Sequence, residues 1–251
     1  MISKTEIKRI NSLDTKKGRD LHKLILIEGK RLVEQVISSG CNISKLWITE
    51  AFNNKNPNLT NHLNNVEIDS ISKQDLKKVT ATENPSGIIG VMQPPKGEIQ
   101  KMNQRIIILD NIANPGNLGT ILRTANWFGV HNILLSEDCV DPYNPKVVRS
   151  AMGAHFSMNI VSGKIHNNIK KLQSEGFKII AADLDTKNTI ESLKINTDKW
   201  ALLMGSEAHG LSESVSSLAD YKIKISQIGE IESLNVSVAC GIFLYHISAI
   251  K

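Results

Sequence analysis

The sequence predicts an α/β protein of two domains, a smaller α+β domain followed by a larger domain with a mostly parallel sheet. Its 251 residues are 41% apolar and 22% charged, which is typical of a globular chain with a packed core. After residue 105, short apolar runs alternate with helical patterns, which indicates a parallel sheet covered by helices on both faces. The sequence PPKG at 94–97 interrupts both periodicities. We therefore predict domains at 1–94 and 105–251, joined by a linker at 95–104.

The first domain is predicted to mix short strands with short helices. Residues 3–23 are polar with weak helical periodicity, and a helix over 30–39 is predicted to end at Gly40. The Asn-rich segment 52–65 is predicted to be a loop or an irregular helix. Short apolar runs predict strands at 24–27, 43–49, 66–68 and 88–92, and a short helix is predicted at 72–79.

The second domain alternates regularly between the two kinds of element. Strands are predicted at 105–109, 132–135, 155–161, 177–182, 200–204 and 221–225. Helices are predicted at 118–128, 144–152, 165–176, 212–218 and 234–250. In such sheets, ligands gather at the loops that leave the carboxyl ends of the strands. Three loops in that position contain glycine, at 110–119, 205–210 and 226–233.

The net charge of +5 is distributed unevenly along the chain. Residues 1–23 hold seven basic and three acidic side chains, a net charge of +4. Such a segment is either a solvated helix or a surface that binds phosphate groups, because clustered cations attract polyanions.

Cysteine usage and hydropathy indicate in which cellular compartment the protein is expected. The three cysteines are far apart and no CxxC pair occurs, which argues against a disulfide framework or a zinc site, so no metal is expected. The N-terminus lacks the apolar segment of a signal peptide, and no run of 18 apolar residues is present. We therefore expect a cytoplasmic protein with no membrane span.

The first glycine-bearing loop is followed by one arginine in an otherwise apolar segment. Gly116 and Gly119 lie between a predicted strand and a predicted helix, where glycine lets the backbone approach a ligand closely. Arg123 follows Asn117 by six residues. Taken alone, the loop is more typical of a tight strand-to-helix turn, and Arg123 could pair with an acid or extend to solvent.

The other two loops also place polar side chains at predicted strand ends. Glu207, within 205–210, is either a solvated side chain or a carboxylate that orients a ligand or Arg123. Ser233 and Asn235 are both good helix N-cap residues, and Asn235 can instead offer its side chain to a ligand at the positive end of a helix. The final helix is apolar nearly all round, so it should be buried inside the domain or in a subunit interface.

Taken together, the three loops resemble the motifs of the SpoU/TrmH family of S-adenosylmethionine-dependent RNA 2′-O-methyltransferases. Residues 117–123 resemble the Asn-x-x-x-x-x-Arg motif of that family, and 205–210 resemble its Gly-x-Glu-x-x-Gly motif. Residues 232–239, ESLNVSVA, match the third motif without a mismatch. The resemblance therefore covers the chain from residue 105 on, and the combination is far more specific than any single motif.

The first domain carries a looser resemblance. Its sequences LIEG at 26–29 and PSGII at 85–89 look like the N-terminal RNA-binding domain of the family, which has a fold like that of ribosomal protein L30. One departure lies in the second domain, because Ser226 occupies a position where the family usually has proline. Serine relaxes the backbone at that turn, which leaves the shape of the adenosine pocket open.

The resemblance implies a fold, a reaction and a set of site residues. The fold is a trefoil-knotted α/β domain whose last helix threads through a loop. The reaction transfers a methyl group from S-adenosyl-L-methionine to a ribose 2′-hydroxyl of RNA, for which we expect ribosomal RNA, with guanosine or another nucleotide as the target. The implied catalytic residues are Arg123, Asn117, Glu207, Ser233 and Asn235, and the implied cofactor-binding residues are Leu203, Met204, Gly205, Ile225, Ile228 and Leu234. The family also forms homodimers through the knotted domain and the C-terminal helix.

The usual role of the motif arginine is to activate the 2′-hydroxyl. A guanidinium remains protonated at neutral pH, so a literal general-base role for Arg123 is awkward. We expect instead that Arg123 binds the phosphate beside the target ribose and stabilises developing alkoxide charge. Asn117 and Glu207 would orient Arg123, while Ser233 and Asn235 would hold the ribose-phosphate and the loop.

Several alternatives remain open from the sequence. The substrate could be transfer RNA, or the chain could be a non-catalytic RNA-binding protein of the same fold, which the intact Arg123, Glu207 and Asn235 argue against. A nucleotide-binding enzyme with an ordinary open sheet is disfavoured because GxGxxG is missing. Aromatic residues are only 4% of the chain, so RNA shape and phosphate contacts should matter more than base stacking.

Overall fold

The computed structural model describes residues 2–60, 63 and 66–249. The strands are β1 Ile25–Glu28, β2 Ile43–Ile48, β3 Glu67–Ser70, β4 Ile88–Met92, β5 Ile106–Leu109, β6 Asn132–Leu135, β7 Asn159–Ser162, β8 Lys178–Ala182, β9 Trp200–Met204 and β10 Tyr221–Ile223. The helices are α1 Lys4–Ser12, α2 Lys16–His22, α3 Lys30–Ser38, α4 Glu50–Lys55, α5 Pro57–Thr60, α6 Lys73–Leu76, α7 Pro115–Trp127, α8 Pro145–Ala151, α9 Ile165–Ser174, α10 Glu213–Ser216 and α11 Val236–Ala249.

These elements form two compact units. The first comprises residues up to 95 together with Tyr143–Phe156, and the second comprises Lys96–Pro142 and the residues from 157 on. Helix α8 therefore belongs to the first unit, although the sequence places its residues beyond the linker. The predicted boundary at 95–104 stays a prediction.

The first unit is a four-stranded sheet with helices on both faces. The strand order is β1-β4-β2-β3, in which β4 is antiparallel to both neighbours and β3 is parallel to β2. Successive side chains of a strand point to opposite faces. Ile25 and Ile27 consequently face the side that packs with α3, α4 and α8, whereas Leu26 and Trp47 face the side that packs with α1 and α6.

The second unit is a six-stranded parallel sheet in the order β10-β8-β9-β5-β6-β7. This confirms the predicted mostly parallel α/β sheet. Strand β5 lies between β9 and β6, with Leu109 opposite Met204 in the register. Because neighbouring strands run the same way, the loops that follow β5 and β9 leave the same edge side by side.

Two helices of the second unit begin with side-chain caps that the sequence supplies. Asn114 accepts hydrogen bonds from the backbone N–H of Gly116 at 2.8 Å and of Asn117 at 3.4 Å, and Pro115 occupies the first helical position of α7. Asn235 caps α11 by accepting from the backbone N–H of Ser237 at 3.0 Å. These caps place Asn117 and Asn235 at the amino ends of α7 and α11.

Helices α7 and α11 pack against each other and run in the same direction. Asn235 contacts Asn117 near the start of both helices, and a Cβ atom at Gly241 would lie 3.7 Å from Thr124 further along. One face of α11 is buried, including Cys240 and Leu244, and the opposite face is exposed in the single chain. The predicted subunit interface on this helix therefore remains a proposal.

Two local predictions differ from the structure. The strand predicted at 155–161 is wrong in its first half, because Ala154–Ser157 is a 3₁₀ turn and only Asn159–Ser162 is extended. Gly153, with φ +87°, starts this turn by accepting from the N–H of Phe156. The segment predicted at 52–65 as loop or irregular helix holds α4 and α5, and its residues 61, 62, 64 and 65 lie outside the described residues, as does residue 250 of the predicted final helix. In the described ranges, no helix is long and apolar enough to cross a membrane.

Candidate active site

The site is built where β5 and β9 end. The backbone N–H of Asp110, the residue after β5, donates to the carbonyl of Met204 at 2.8 Å. This bond extends the pairing of the two strands by one residue. The loops 110–114 and 205–212 therefore leave the sheet from adjacent points.

A buried carboxylate ties these two loops together. Asp110 is only 8% exposed, and its Oδ2 accepts from the backbone N–H of Ser212 at 3.1 Å and from the Ser212 hydroxyl at 2.9 Å. Hydrogen bonds to a charged acceptor contribute about 1.5–3 kcal/mol each. Asp110 is thus a positioning residue for the loop that carries Glu207.

Three side chains from the three sequence motifs form one hydrogen-bonded chain. Asn117 Nδ2 donates to Glu207 Oε1, and Asn235 Nδ2 donates to Asn117 Oδ1 at 3.1 Å. Ser237 donates to Asn235 Oδ1 through its hydroxyl at 2.6 Å and through its N–H at 3.0 Å. In this way Asn117 contacts Glu207, which lies 90 positions later in the sequence, and Asn235, which lies 118 positions later.

The donor and acceptor roles in this series of hydrogen bonds follow from the backbone N–H of Ser237. A backbone N–H can only donate, so Ser237 fixes the Asn235 oxygen as the acceptor and leaves the Asn235 amide nitrogen to donate to Asn117. The Asn117 oxygen is therefore an acceptor, and its amide nitrogen donates to Glu207. The Glu207 carboxylate accepts through Oε1 and completes this series of hydrogen bonds.

Arg123 takes no part in this series of hydrogen bonds. It is exposed on α7, and within residues 2–60, 63 and 66–249 its guanidinium makes no hydrogen bond or ion pair. Six residues of α-helix place it about 120° around the axis from Asn117. Asn117 and Glu207 bond to each other instead, so their predicted orientation of Arg123 stays a prediction.

The third loop is exposed over most of its length. Ser233 and Leu234 are both exposed, and Ile228 is wholly so. The Ser226 hydroxyl, at the position of the family proline, donates to Glu191 at 3.3 Å. Hydrogen bonds, of which the one from Thr189 is the largest, hold the pKa of the Glu191 carboxyl below its ordinary value.

The residues predicted to contact the methyl donor lie at three depths. Leu203 and Met204 are buried in β9, and Ile225 is half-buried after β10. Gly205 packs against the backbone of its own loop, because an added Cβ would lie 2.1 Å from the carbonyl group of Gly210. The loop thus closes on itself with no room for a side chain at position 205.

Most of the backbone of the third loop is open to a ligand, although Gln227 Nε2 donates to the carbonyls of Gly229 at 2.8 Å and Ile231 at 2.7 Å. Among the described residues, no backbone-to-backbone hydrogen bond involves 226–234, so peptide N–H and C=O groups there have no main-chain partner. A nucleoside is commonly recognised by such groups beside apolar side chains. The chemistry of this loop fits the adenosine part of S-adenosylmethionine.

The cysteines near the site are not poised as nucleophiles. Burial raises the pKa of the Cys139 thiol, which accepts from the N–H of Ile112 at 3.3 Å, and burial raises the pKa of Cys240 to about 12. The thiolate is the reactive form of cysteine. Burial therefore keeps both thiols in the less reactive protonated form near neutral pH.

Sequence reasoning missed the link between Asp110 and Ser212. A signal for it existed, since an acid directly follows the apolar run 106–109 and a serine precedes a predicted short helix. The pattern alone could not pair them, because 102 residues separate the two.

Comparison with known proteins agrees with this architecture. Residues 104–245 match the SpoU rRNA Methylase family, and residues 4–90 match the MRM3-like substrate binding domain. The chain is 31% identical to an uncharacterised tRNA/rRNA methyltransferase of Synechocystis sp., covering 95% of this chain and 89% of that protein. It is 28% identical to the 23S rRNA (guanosine(2553)-2′-O)-methyltransferase RlmP of Bacillus subtilis, covering 96% and 95% of the two chains.

The fold is also found among solved structures. A crystal structure of an AdoMet-bound rRNA methyltransferase from Sinorhizobium meliloti superposes with a TM-score of 0.87 at 26% identity, covering 98% of this chain and 95% of that one. The family match spans more than half of the sequence and includes all three loops of the site. The chain therefore belongs to the SpoU rRNA methylase family.

Proposed function

We propose that this protein transfers a methyl group from S-adenosylmethionine to a ribose 2′-hydroxyl of ribosomal RNA. The observation that carries the proposal is the hydrogen-bonded chain Glu207–Asn117–Asn235, which unites the three motifs at the end of β5 and β9. The names of relatives that span the whole chain support ribosomal RNA over transfer RNA, with guanosine as the first nucleotide to test. Action on ribosomal RNA would place the protein in the cytoplasm.

The methyl donor would lie between the second and third loops. S-adenosylmethionine supplies an electrophilic methyl group on its sulfonium. The residues proposed to hold it are Leu203, Met204, Gly205, Ile225, Ile228 and Leu234, with Met204 and Ile225 as apolar walls and the peptide N–H groups of 226–234, which have no main-chain partner, as hydrogen-bond donors. Glu191, by accepting from Ser226, would restrain the turn where the family usually has proline.

Arg123 would bind the RNA phosphate beside the target ribose. Its guanidinium is exposed and has no partner among the described residues, and its planar fork matches a phosphate. Because it stays protonated, it would stabilise negative charge on the attacking 2′-oxygen, while the proton leaves to a phosphate oxygen or to water. Asn117 and Glu207 would fix the wall of the site, and Ser233 and Asn235 would hold the ribose-phosphate.

We also propose that the protein is a homodimer with a knotted second domain, as the family resemblance implies. The exposed face of α11 is apolar at every helical turn, with Val238, Ile242 and Tyr245 in line, and Trp127 of α7 is exposed nearby in the parallel helix pair. A contiguous apolar face of this kind is typical of a subunit interface. Light scattering at micromolar concentration should give the mass of two chains.

A matched pair of variants tests the dimer. Val238→Glu places a charge on the apolar face and should yield a monomer, whereas Ser174→Glu, at an exposed polar position of α9, should leave the dimer intact. A monomeric wild-type protein, or an intact dimer in Val238→Glu, would contradict the proposed interface.

The methylation itself is tested with labelled methyl donor and unmodified ribosomal RNA. The wild-type protein should incorporate label, and mapping of 2′-O-methyl groups should locate one nucleotide. Arg123→Ala should lower turnover by about 100-fold or more, since removing one donor to a developing oxyanion costs about that much. Arg105→Ala is the matched control, because Arg105 pairs with Asp198 at 3.4 Å before β5, at the opposite end of that strand from the site.

Three outcomes separate the alternatives. Label in transfer RNA and not in ribosomal RNA would change the substrate, and RNA binding without any methyl transfer would indicate a non-catalytic protein. Arg123→Lys keeps the charge and loses the fork, so near-normal turnover with unchanged RNA affinity would count against phosphate binding by the guanidinium.

A further inference from the structure

We propose that a groove on the first unit binds the phosphate backbone of the RNA substrate, an inference that rests on the proposed function. The groove has a volume of about 350 Å³ and lies between α4, α6 and the turn 83–87. Its charged lining consists of Lys55, Lys73, Lys77 and Glu83. The lining therefore has a net charge of +2.

The three lysines are available to a ligand. All three are exposed, and within the part of the chain that the structure describes none of them forms a side-chain hydrogen bond or ion pair. Lys78, the residue after Lys77, differs because it pairs with Asp75 at 2.7 Å. The groove therefore holds three positive charges that have no partner among the described residues.

The wall of the groove is held in a fixed conformation. Gly87 has φ +100°, and a Cβ there would lie 2.7 Å from Thr49 Oγ1 and 2.8 Å from Phe52 Cβ. The N–H of Thr49 donates to the carbonyl of Gly87 at 2.9 Å, which fastens the turn to the start of α4. A preformed surface loses little entropy when a ligand binds.

The groove continues into a second depression on the same unit. This depression, of about 410 Å³, shares Lys55 with the first and also includes Lys30, which pairs with Glu34 at 3.7 Å. The rest of its lining combines the polar side chains of Ser38, Asn56 and Asn58 with Glu34 and three apolar residues, Ile37, Pro57 and Leu59. Lysines spaced between amides and hydroxyls are the donors that a nucleic-acid backbone accepts. A strand of RNA that follows both depressions would place several phosphates against Lys55 and its neighbours.

The basic segment 1–23 is the competing surface on this unit. Two of its seven cations already have partners, because Arg19 is buried and donates to the carbonyl of Leu13 at 2.6 Å, and Arg9 pairs with Glu6 at 3.3 Å. These helices pack on one face of the sheet, whereas the groove lies at the end of the sheet where β2 and β3 finish. The other five cations of the segment are exposed lysines, so the number of free charges does not separate the two surfaces. The groove is favoured because its three lysines and the neutral donors Asn84 and Ser86 line one depression with a fixed wall.

The test compares two triple variants that remove the same charge. The groove variant carries Lys55→Ala, Lys73→Ala and Lys77→Ala, and the control carries Lys8→Ala, Lys16→Ala and Lys17→Ala in the N-terminal helices. The dissociation constant for in vitro transcribed ribosomal RNA is measured across salt concentrations. Each phosphate contact adds about 0.7–0.9 to the slope of log K against log salt.

The groove variant should lose about two units of that slope and bind at least about tenfold more weakly at 0.1 M salt. Its KM for RNA should rise, while its kcat at saturating RNA and its affinity for S-adenosylmethionine stay at the wild-type values. The control variant should change the slope by less than about one unit.

If the groove variant still methylates RNA and keeps the wild-type salt slope and RNA affinity, RNA binding by the groove is refuted. The proposed function would be unaffected by that result. Loss of slope in the control variant alone would assign RNA binding to the N-terminal helices and would also overturn it. A wild-type protein that binds RNA without methylating it would refute the proposed function instead. If the triple variant does not fold, the single Lys55→Gln replaces it, and a slope equal to the wild-type value again refutes the groove.

Discussion

Gly205→Ala should disrupt the proposed methyl-donor site through the backbone alone. The added Cβ would lie 2.1 Å from the carbonyl carbon and oxygen of Gly210 and 2.4 Å from the nitrogen of Leu211. All three atoms belong to the main chain, so no side-chain rotation can relieve the overlap. The two sides of the loop must separate by about 1.3 Å to restore an ordinary contact of about 3.4 Å.

The cost follows from the bonds that this separation breaks. The N–H of Ser206 donates to the carbonyl of Gly210 at 3.0 Å, and the N–H of Gly210 donates back to Ser206 at 2.9 Å. Losing both costs about 2 kcal/mol, and forcing an extra methyl group into a packed site costs about 1–3 kcal/mol. Since each 1.4 kcal/mol is a factor of ten, about 3 kcal/mol predicts roughly 100-fold weaker cofactor binding.

Calorimetry with S-adenosylmethionine measures this affinity directly. Gly163→Ala is a matched control outside the proposed cofactor site, because a Cβ at Gly163, just after β7, meets only the side-chain nitrogen of Asn168, at 3.9 Å. It should bind the cofactor like the wild type. Circular dichroism should show that both variants keep the sheet, since Gly205 follows β9 and does not belong to it.

One result would refute this reasoning. If Gly205→Ala binds S-adenosylmethionine within about threefold of the wild type, the loop either tolerates the separation or does not contact the cofactor. A crystal or solution structure of the variant would then distinguish these cases by the distance between residues 205 and 210.

The remaining predictions concern the loop anchor and one buried thiol. Asp110→Ala should lower the free energy of unfolding by about 2–3 kcal/mol, because the N–H and hydroxyl of Ser212 lose a charged acceptor. In a double-mutant cycle measured by urea unfolding, Asp110→Ala and Ser212→Ala should show a coupling energy of about 1 kcal/mol. Burial raises the pKa of Cys240 from 9.0 to about 12, so between pH 9 and 12 the thiol ionises only in the unfolded chain and stability should fall as pH rises. Cys240→Ala should reduce that fall, measured by urea unfolding at several pH values.

Each of these predictions has an opposing outcome. Strict additivity of Asp110→Ala and Ser212→Ala would mean that the two side chains do not stabilise the loop through each other. A stability curve for Cys240→Ala with the same slope as the wild type above pH 9 would show that another group dominates that range. Alkylation of Cys240 in the folded protein at pH 8 would likewise contradict its burial.

Local patterns in the sequence determined most of the elements and the chemistry. The apolar run 106–109 could only be a buried strand in an alternating chain, and Asn114 followed by Pro115 is a helix start that needs no tertiary information. The three motifs named the family because their order and spacing are properties of the sequence itself. These features depend on periodicity and on residues that are neighbours in the sequence, so the sequence alone is enough to predict them.

Only the tertiary structure decided which distant residues meet. The strand order places β9 beside β5, and this adjacency brings Glu207 to Asn117 and Ser212 to Asp110. It also decided that Tyr143–Phe156 packs with the first unit, and that α11 buries one face and exposes the other. The physical reason is that hydrogen-bond partners and packing faces are set by how strands order in the sheet, which no local pattern encodes.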